Sequence, residues 1–121
     1  MKMFTKSGEW LEKFGSHYRV GLSRENVDAL GEITFIELPK IGALAGGESP
    51  SAVLEAVKAA TDFYSPIIGR IISVNTLLSQ TPGLMNSSPE DEAWILEIAS
   101  EDEFLGTLLD EKAWRTWMTD L

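Results

Sequence analysis

The chain has 121 residues, enough for one domain with a single modest core, and 44% hydrophobic with 24% charged residues is an ordinary globular composition. It contains no cysteine, which excludes a disulfide scaffold, a thiolate metal site and a cysteine nucleophile. Its formal net charge of −9 gives a surface that repels phosphate backbones, so nucleic acid is not an expected partner.

Phe4 to Phe14 alternates loosely and reads as one short strand, followed by a turn at Gly15-Ser16 and a strand over His17 to Leu22. Ser23 is placed to cap a short helix over Arg24 to Leu30, with Val27 and Leu30 buried and Gly31 as its stop. Ile33 to Leu38 is the clearest strand, ended by Pro39. Gly42, Gly46, Gly47 and Pro50 mark turns between short extended pieces.

Val53 to Ile67 holds two apolar, β-leaning runs that read as a hairpin-like reversal, with Lys58 between them. Small side chains surround that lysine, Ala56 and Val57 before it, Ala59 and Ala60 after it, and Thr61 with Asp62 turns the chain. Spacing alone allows two readings of Lys58: an ordinary solvated turn lysine, or an amine presented for modification. Ser65-Pro66 breaks the run, Gly69 permits a tight backbone, and Arg70 to Val74 resumes as strand. Thr76 to Ser79 forms one helical turn, Gln80 to Pro89 a loop, and Trp94 to Ala99 the final strand.

Ser100 followed by Glu103 matches a capping box and predicts a helix with Phe104, Leu105, Leu108 and Leu109 on one face. Asp110 caps a second helix whose apolar side holds Trp114, Trp117, Met118 and Leu121. Short strands separated by Gly and Pro indicate a mainly β sandwich or flattened barrel, one domain over residues 1–121, with helices lying against the sheet.

The acid is unevenly placed. Residues 1–89 hold eight basic and nine acidic side chains, a balance of −1; residues 90–121 hold two and ten, a balance of −8. Clustered acid serves solubility, or steers the chain toward basic patches on partners. No apolar run reaches the roughly 20 residues that span a bilayer, and Met1 to Phe14 shows neither a signal-peptide nor a transit-peptide pattern. A cytoplasmic protein that does not engage membrane is expected.

No constellation looks catalytic. His17 is the only histidine, so neither a histidine triad nor a multi-histidine metal site can be built. The glycines at 42, 46 and 47 lack the Lys and Ser/Thr of a phosphate loop, and Asp91 and Glu92 read as solvated loop acids.

Three blocks carry a resemblance: GLSRENVDALGEITFIELPKIGA from Gly21, VLEAVKAATDFYSPIIGRIISVN from Val53 and PGLMNSSPEDEAWILEI from Pro82. In this order over most of the chain they resemble the glycine cleavage H-protein family, the lipoyl carriers of that system, or a close H-like relative. The resemblance implies a lipoyl-type barrel-sandwich hybrid of two small sheets with peripheral helices near residues 24–30 and at the C-terminus. It implies that Lys58, in Glu55-Ala-Val-Lys-Ala, holds lipoic acid in amide linkage. Biotin carriers flank their lysine with methionines, whereas Val57 and Ala59 flank this one.

In that family a pyridoxal-phosphate glycine decarboxylase loads an aminomethyl group onto the arm. A folate-dependent aminomethyltransferase unloads it, and dihydrolipoyl dehydrogenase reoxidises the arm. The resemblance places a cleft for the loaded arm at Ser7, Glu9 and Asp62, though the residues alone also read as an ordinary surface acid and a turn residue. It implies a non-catalytic, monomeric carrier modified by a lipoate ligase or lipoyl transferase.

The chain departs from the family pattern in Ser7-Gly8-Glu9-Trp10, where a histidine commonly follows the serine. It departs again in the helix Ser23-Arg-Glu-Asn-Val-Asp-Ala-Leu-Gly and before Trp94. None of these touches Lys58, so two alternatives stand beside glycine cleavage. One is a lipoyl donor serving other lipoate-dependent proteins; the other is an unmodified interaction module.

Overall fold

Alternating burial builds the first strands of the computed structural model, which describes residues 1–120. Lys2–Thr5 (β1), Glu9–Phe14 (β2) and His17–Leu22 (β3) form an antiparallel meander in which Leu11 faces Met3 on one side and Val20 on the other. The one strand expected over Phe4 to Phe14 is therefore two. Gly8 takes φ +96° and donates its N–H to the Thr5 carbonyl at 3.1 Å, a reversal that a β-carbon would strain.

Arg24–Leu30 (α1) forms as its sequence predicts. Ser23 accepts the Asn26 N–H at 3.2 Å, Val27 is buried, and Gly31 ends the helix at φ +84°. Ile33–Glu37 (β4) follows, then the two-residue Leu44–Ala45 (β5), Ala52–Ala56 (β6) and Ala60–Phe63 (β7). Thr61 and Asp62 lie inside β7 rather than turning the chain, so the reversal comes four residues earlier, at Val57-Lys58.

Ile67–Val74 (β8) leads into two short helices, Leu77–Gln80 (α2) and Leu84–Ser87 (α3). The second occupies part of the expected loop. Asn86 there donates to the Gly31 carbonyl at 2.8 Å and accepts the Ile33 N–H at 3.0 Å, tying α3 to the exit of α1.

The last strand starts at Leu96 and continues well beyond Ala99. Leu96–Phe104 (β9) spans the predicted capping box, and Leu108–Asp110 (β10) stands where the first C-terminal helix was expected. Pairing with β8, with Ile67 opposite Phe104 and Ile68 opposite Glu103, satisfies backbone groups over a length that one capped turn cannot match. Ser100 uses its hydroxyl on the Ile68 carbonyl across the strand pair. Glu111–Thr119 (α4) then forms as predicted, with Asp110 accepting the Ala113 N–H at 2.8 Å. Leu121, predicted for its apolar face, lies outside the described residues.

The strands make a seven-stranded sheet, β10-β1-β2-β3-β9-β8-β5, and a three-stranded sheet, β4-β6-β7. The mainly β architecture with peripheral helices is as expected, but the sheets are unequal and close no barrel. One core fills the interior, drawing Leu11, Val20 and Ile98 from the large sheet, Ile36, Leu54 and Phe63 from the small one, and Leu78 and Met85 from α2 and α3. A second cluster stacks Trp114 of α4 on Phe4 at 4.8 Å and adds Trp10, whose indole donates to the Leu22 and Pro89 carbonyls.

Candidate functional site

The β6–β7 hairpin owes its shape to two buried anchors, Leu54 on the outgoing strand and Phe63 on the return. Between them the register runs Val53 opposite Asp62, Leu54 opposite Thr61 and Glu55 opposite Ala60. The Ala56 N–H donates to the Ala59 carbonyl at 2.7 Å, leaving Val57 and Lys58 as the two residues of the tip. Val57 N–H donates to the Glu32 carbonyl at 3.1 Å, which pins the tip to the loop before β4.

Lys58 is exposed and makes no hydrogen bond or ion pair among the described residues. Other lysines are engaged: Lys2 pairs with Glu12 at 3.1 Å, while Lys6 and Lys13 lie over the rings of Trp117 and Tyr18. Lys40 and Lys112 are exposed too, so exposure alone does not single out Lys58. Lys58 differs from these two in standing at the tip of a tight, anchored reversal with alanine neighbours.

A cleft of about 360 Å³ opens beside the hairpin, lined by Ser7, Glu9, Leu22, Asn26, Ala29, Leu30, Thr61 and Asp62. The three acid and hydroxyl residues named from the sequence therefore share one cavity, although Ser7 comes from the β1–β2 turn, Glu9 from the start of β2 and Asp62 from β7. Lys58 does not line it; β7 leads from the one to the other.

The Glu9 carboxylate is held by its own turn. Thr5 and Ser7 hydroxyls donate to the same oxygen, Oε1, at 2.8 and 2.7 Å, and Thr5 Oγ1 accepts the Glu9 N–H. Oε2 is left without a partner among the described residues. Among the described residues Asp62 accepts a hydrogen bond only from the Tyr64 hydroxyl, at 3.5 Å.

Thr5 and Asn26 were missed in the sequence. Thr5 becomes visible once the break at Lys6-Ser7-Gly8 is read as a turn; Asn26 carries no such signal, because its partner lies 19 residues away in sequence.

The family model described as glycine cleavage H-protein matches residues 2–120. The chain belongs to the glycine cleavage H-protein family. It is 40% identical over 119 residues to glycine cleavage system H proteins of Escherichia coli O139:H28 and Salmonella arizonae, covering 97% of this chain and 92% of each relative. The crystal structure of a glycine cleavage system H protein from Mycobacterium marinum shares the fold, with a TM-score of 0.85 at 23% identity over 98% of this chain and 96% of that one.

The H protein is the lipoyl carrier of the glycine cleavage system, and its family bears lipoyl covalently on a lysine. This chain fits that group: it offers an unpaired, exposed amine on a hairpin tip with room around it. Among the described residues no helix is long and apolar enough to cross a membrane, and no three histidines or acids converge on a metal position.

Proposed function

We propose that Lys58 carries the lipoyl group and that Ser7, Glu9 and Asp62 hold the aminomethyl cargo of the loaded arm. One observation supports this above the others: a single hairpin serves both purposes. Its tip bears Lys58, and its return strand brings Asp62 into the cleft with Ser7 and Glu9. Lys58 and Asp62 are four residue steps apart, roughly 13 Å at the usual strand rise.

When bound, the lipoyl group would supply a disulfide, one sulfur of which takes the aminomethyl unit derived from glycine while the other is released as a thiol. The chain's own residues do the rest. Lys58 provides the amide nitrogen and gives up its charge, moving the formal net charge of −9 one unit more negative. Ser7 and Thr5 hold Glu9 by one oxygen and leave the other facing a primary ammonium, to which a carboxylate makes a charge-assisted bond.

The tip enters, in turn, the active sites of glycine decarboxylase, aminomethyltransferase and dihydrolipoyl dehydrogenase, with tethering raising the local concentration of the cargo. The chain works as a monomeric, non-catalytic carrier in the cytoplasm, modified by a lipoate ligase or lipoyl transferase. A general lipoyl donor needs Lys58 but has no use for an acid-lined cleft beside it.

Lys58→Arg is expected to abolish lipoylation by a lipoate ligase while changing stability by no more than about 0.5 kcal/mol, as befits an exposed tip. Lys40→Arg is expected to be lipoylated like wild type. Intact mass and thermal unfolding read both; modification persisting in Lys58→Arg would overturn the assignment.

A further inference from the structure

Helix α1 lends the cleft one polar side chain, Asn26, beside the apolar Ala29 and Leu30. Its Nδ2 donates to the Ser7 carbonyl at 2.7 Å. A carbonyl only accepts, so this bond fixes Nδ2 as the end of the amide that faces Ser7 and leaves Oδ1 as the end still free to accept. Oδ1 has no partner among the described residues.

Gly8 makes room for this amide. A β-carbon on Gly8 would lie 2.2 Å from Asn26 Oδ1 and 2.4 Å from Cγ, far inside contact distance. The bare glycine in the turn and the asparagine on the helix are thus two halves of one fit.

A primary ammonium presents three N–H donors. Glu9 Oε2 and the Asp62 carboxylate supply two acceptors in the cleft. A third carboxylate would add repulsion between like charges, whereas an amide oxygen accepts without adding charge. We infer that Asn26 Oδ1 takes the third N–H of the aminomethyl cargo and so tunes the cleft to a primary amine. This rests on the cleft reading given above.

The test compares wild type, Glu9→Gln and Asn26→Ala, each as oxidised lipoyl carrier and as chemically loaded carrier, with no enzyme present. Wild type should melt higher loaded than oxidised, and should lose its cargo more slowly than loaded free lipoamide. Asn26→Ala should shrink that gain in melting temperature and speed cargo loss by roughly three- to tenfold, the effect of one hydrogen bond to a charged group at a partly open site. Its lipoylation should be unchanged.

A purely structural asparagine would lower both melting temperatures equally and leave the gain intact. That result, alongside a reduced gain in Glu9→Gln, overturns the Asn26 assignment and spares the cleft. No gain in wild type, with decay at the lipoamide rate, removes the cleft itself. In wild type the Asn26 side-chain amide resonances should shift on loading, and unmoved resonances overturn the assignment however the variants fold.

Discussion

Tyr18 is buried in β3, and its hydroxyl donates to the carboxylate of Asp102 in β9. Asp102 adopts φ +62°, the one non-glycine residue in the left-handed region among those described. Burial first, and then the neighbouring carboxylate, pushes the phenol up to about 12. The unfolded phenol titrates near 10, so the folded chain holds its proton more tightly between those values. The stability from this pair is fully present below pH 10 and is lost as pH rises toward 12. Denaturation measured across that window should show a fall that Tyr18→Phe flattens. At the same scale the exposed reversal at Lys58 was legible in the sequence, because shrinking side chains around a lysine are a local pattern. Asn26 was not, since its meaning depends on a glycine in a distant turn.

Helix α1 and helix α4 announced themselves through Ser23, Asp110 and the apolar positions that follow, and both form where those signals lie. Ser100 and Glu103 send the same signal and no helix answers. The difference is the neighbour: β8 offers a long paired edge to β9, and tertiary pairing outweighs a weak local preference. Gly69 sits where that pairing slips register, between Ile68 and Arg70. A β-carbon there would stand 2.1 Å from the Ala99 carbonyl oxygen and 2.7 Å from Ile98, so the strands would have to part. Gly69→Ala should cost on the order of 1–3 kcal/mol, as overpacking does, seen as a lower urea midpoint at unchanged slope. An unchanged midpoint would mean that β8 and β9 yield freely at this slip.

Across the whole molecule the acid collects toward the C-terminal end of the sequence, and the structure divides it by use. Glu90 is held by Arg115 at 2.6 Å and Glu25 by the same guanidinium at 3.2 Å, joining α4 to α1. Asp102 is committed to Tyr18. Like Asp91 and Glu92, Glu101 and Glu103 are exposed without ion pairs among the described residues, so they are among the charges free to act at a distance. Replacing both with glutamine while sparing Asp102 should slow association with glycine decarboxylase at low salt and flatten its salt dependence. An on-rate equal to wild type would assign these acids to solubility alone. The division of labour was invisible in the sequence, where Glu101, Asp102 and Glu103 read as one block.

The two sheets also differ in how far along the chain they must reach. The small sheet closes entirely within residues 33–63, whereas the large one needs Phe4 beside Leu109 and His17 beside Ala99. Contacts between distant residues form slowly, and a ribosome releases the N-terminal part first. The Lys58 hairpin can therefore close while β9, β10 and α4 are still being made, and the sheet that carries Ser7 and Glu9 can only finish afterwards. A newborn chain would thus show its proposed attachment point while later strands are still to come, so cofactor addition need not wait for the last residue.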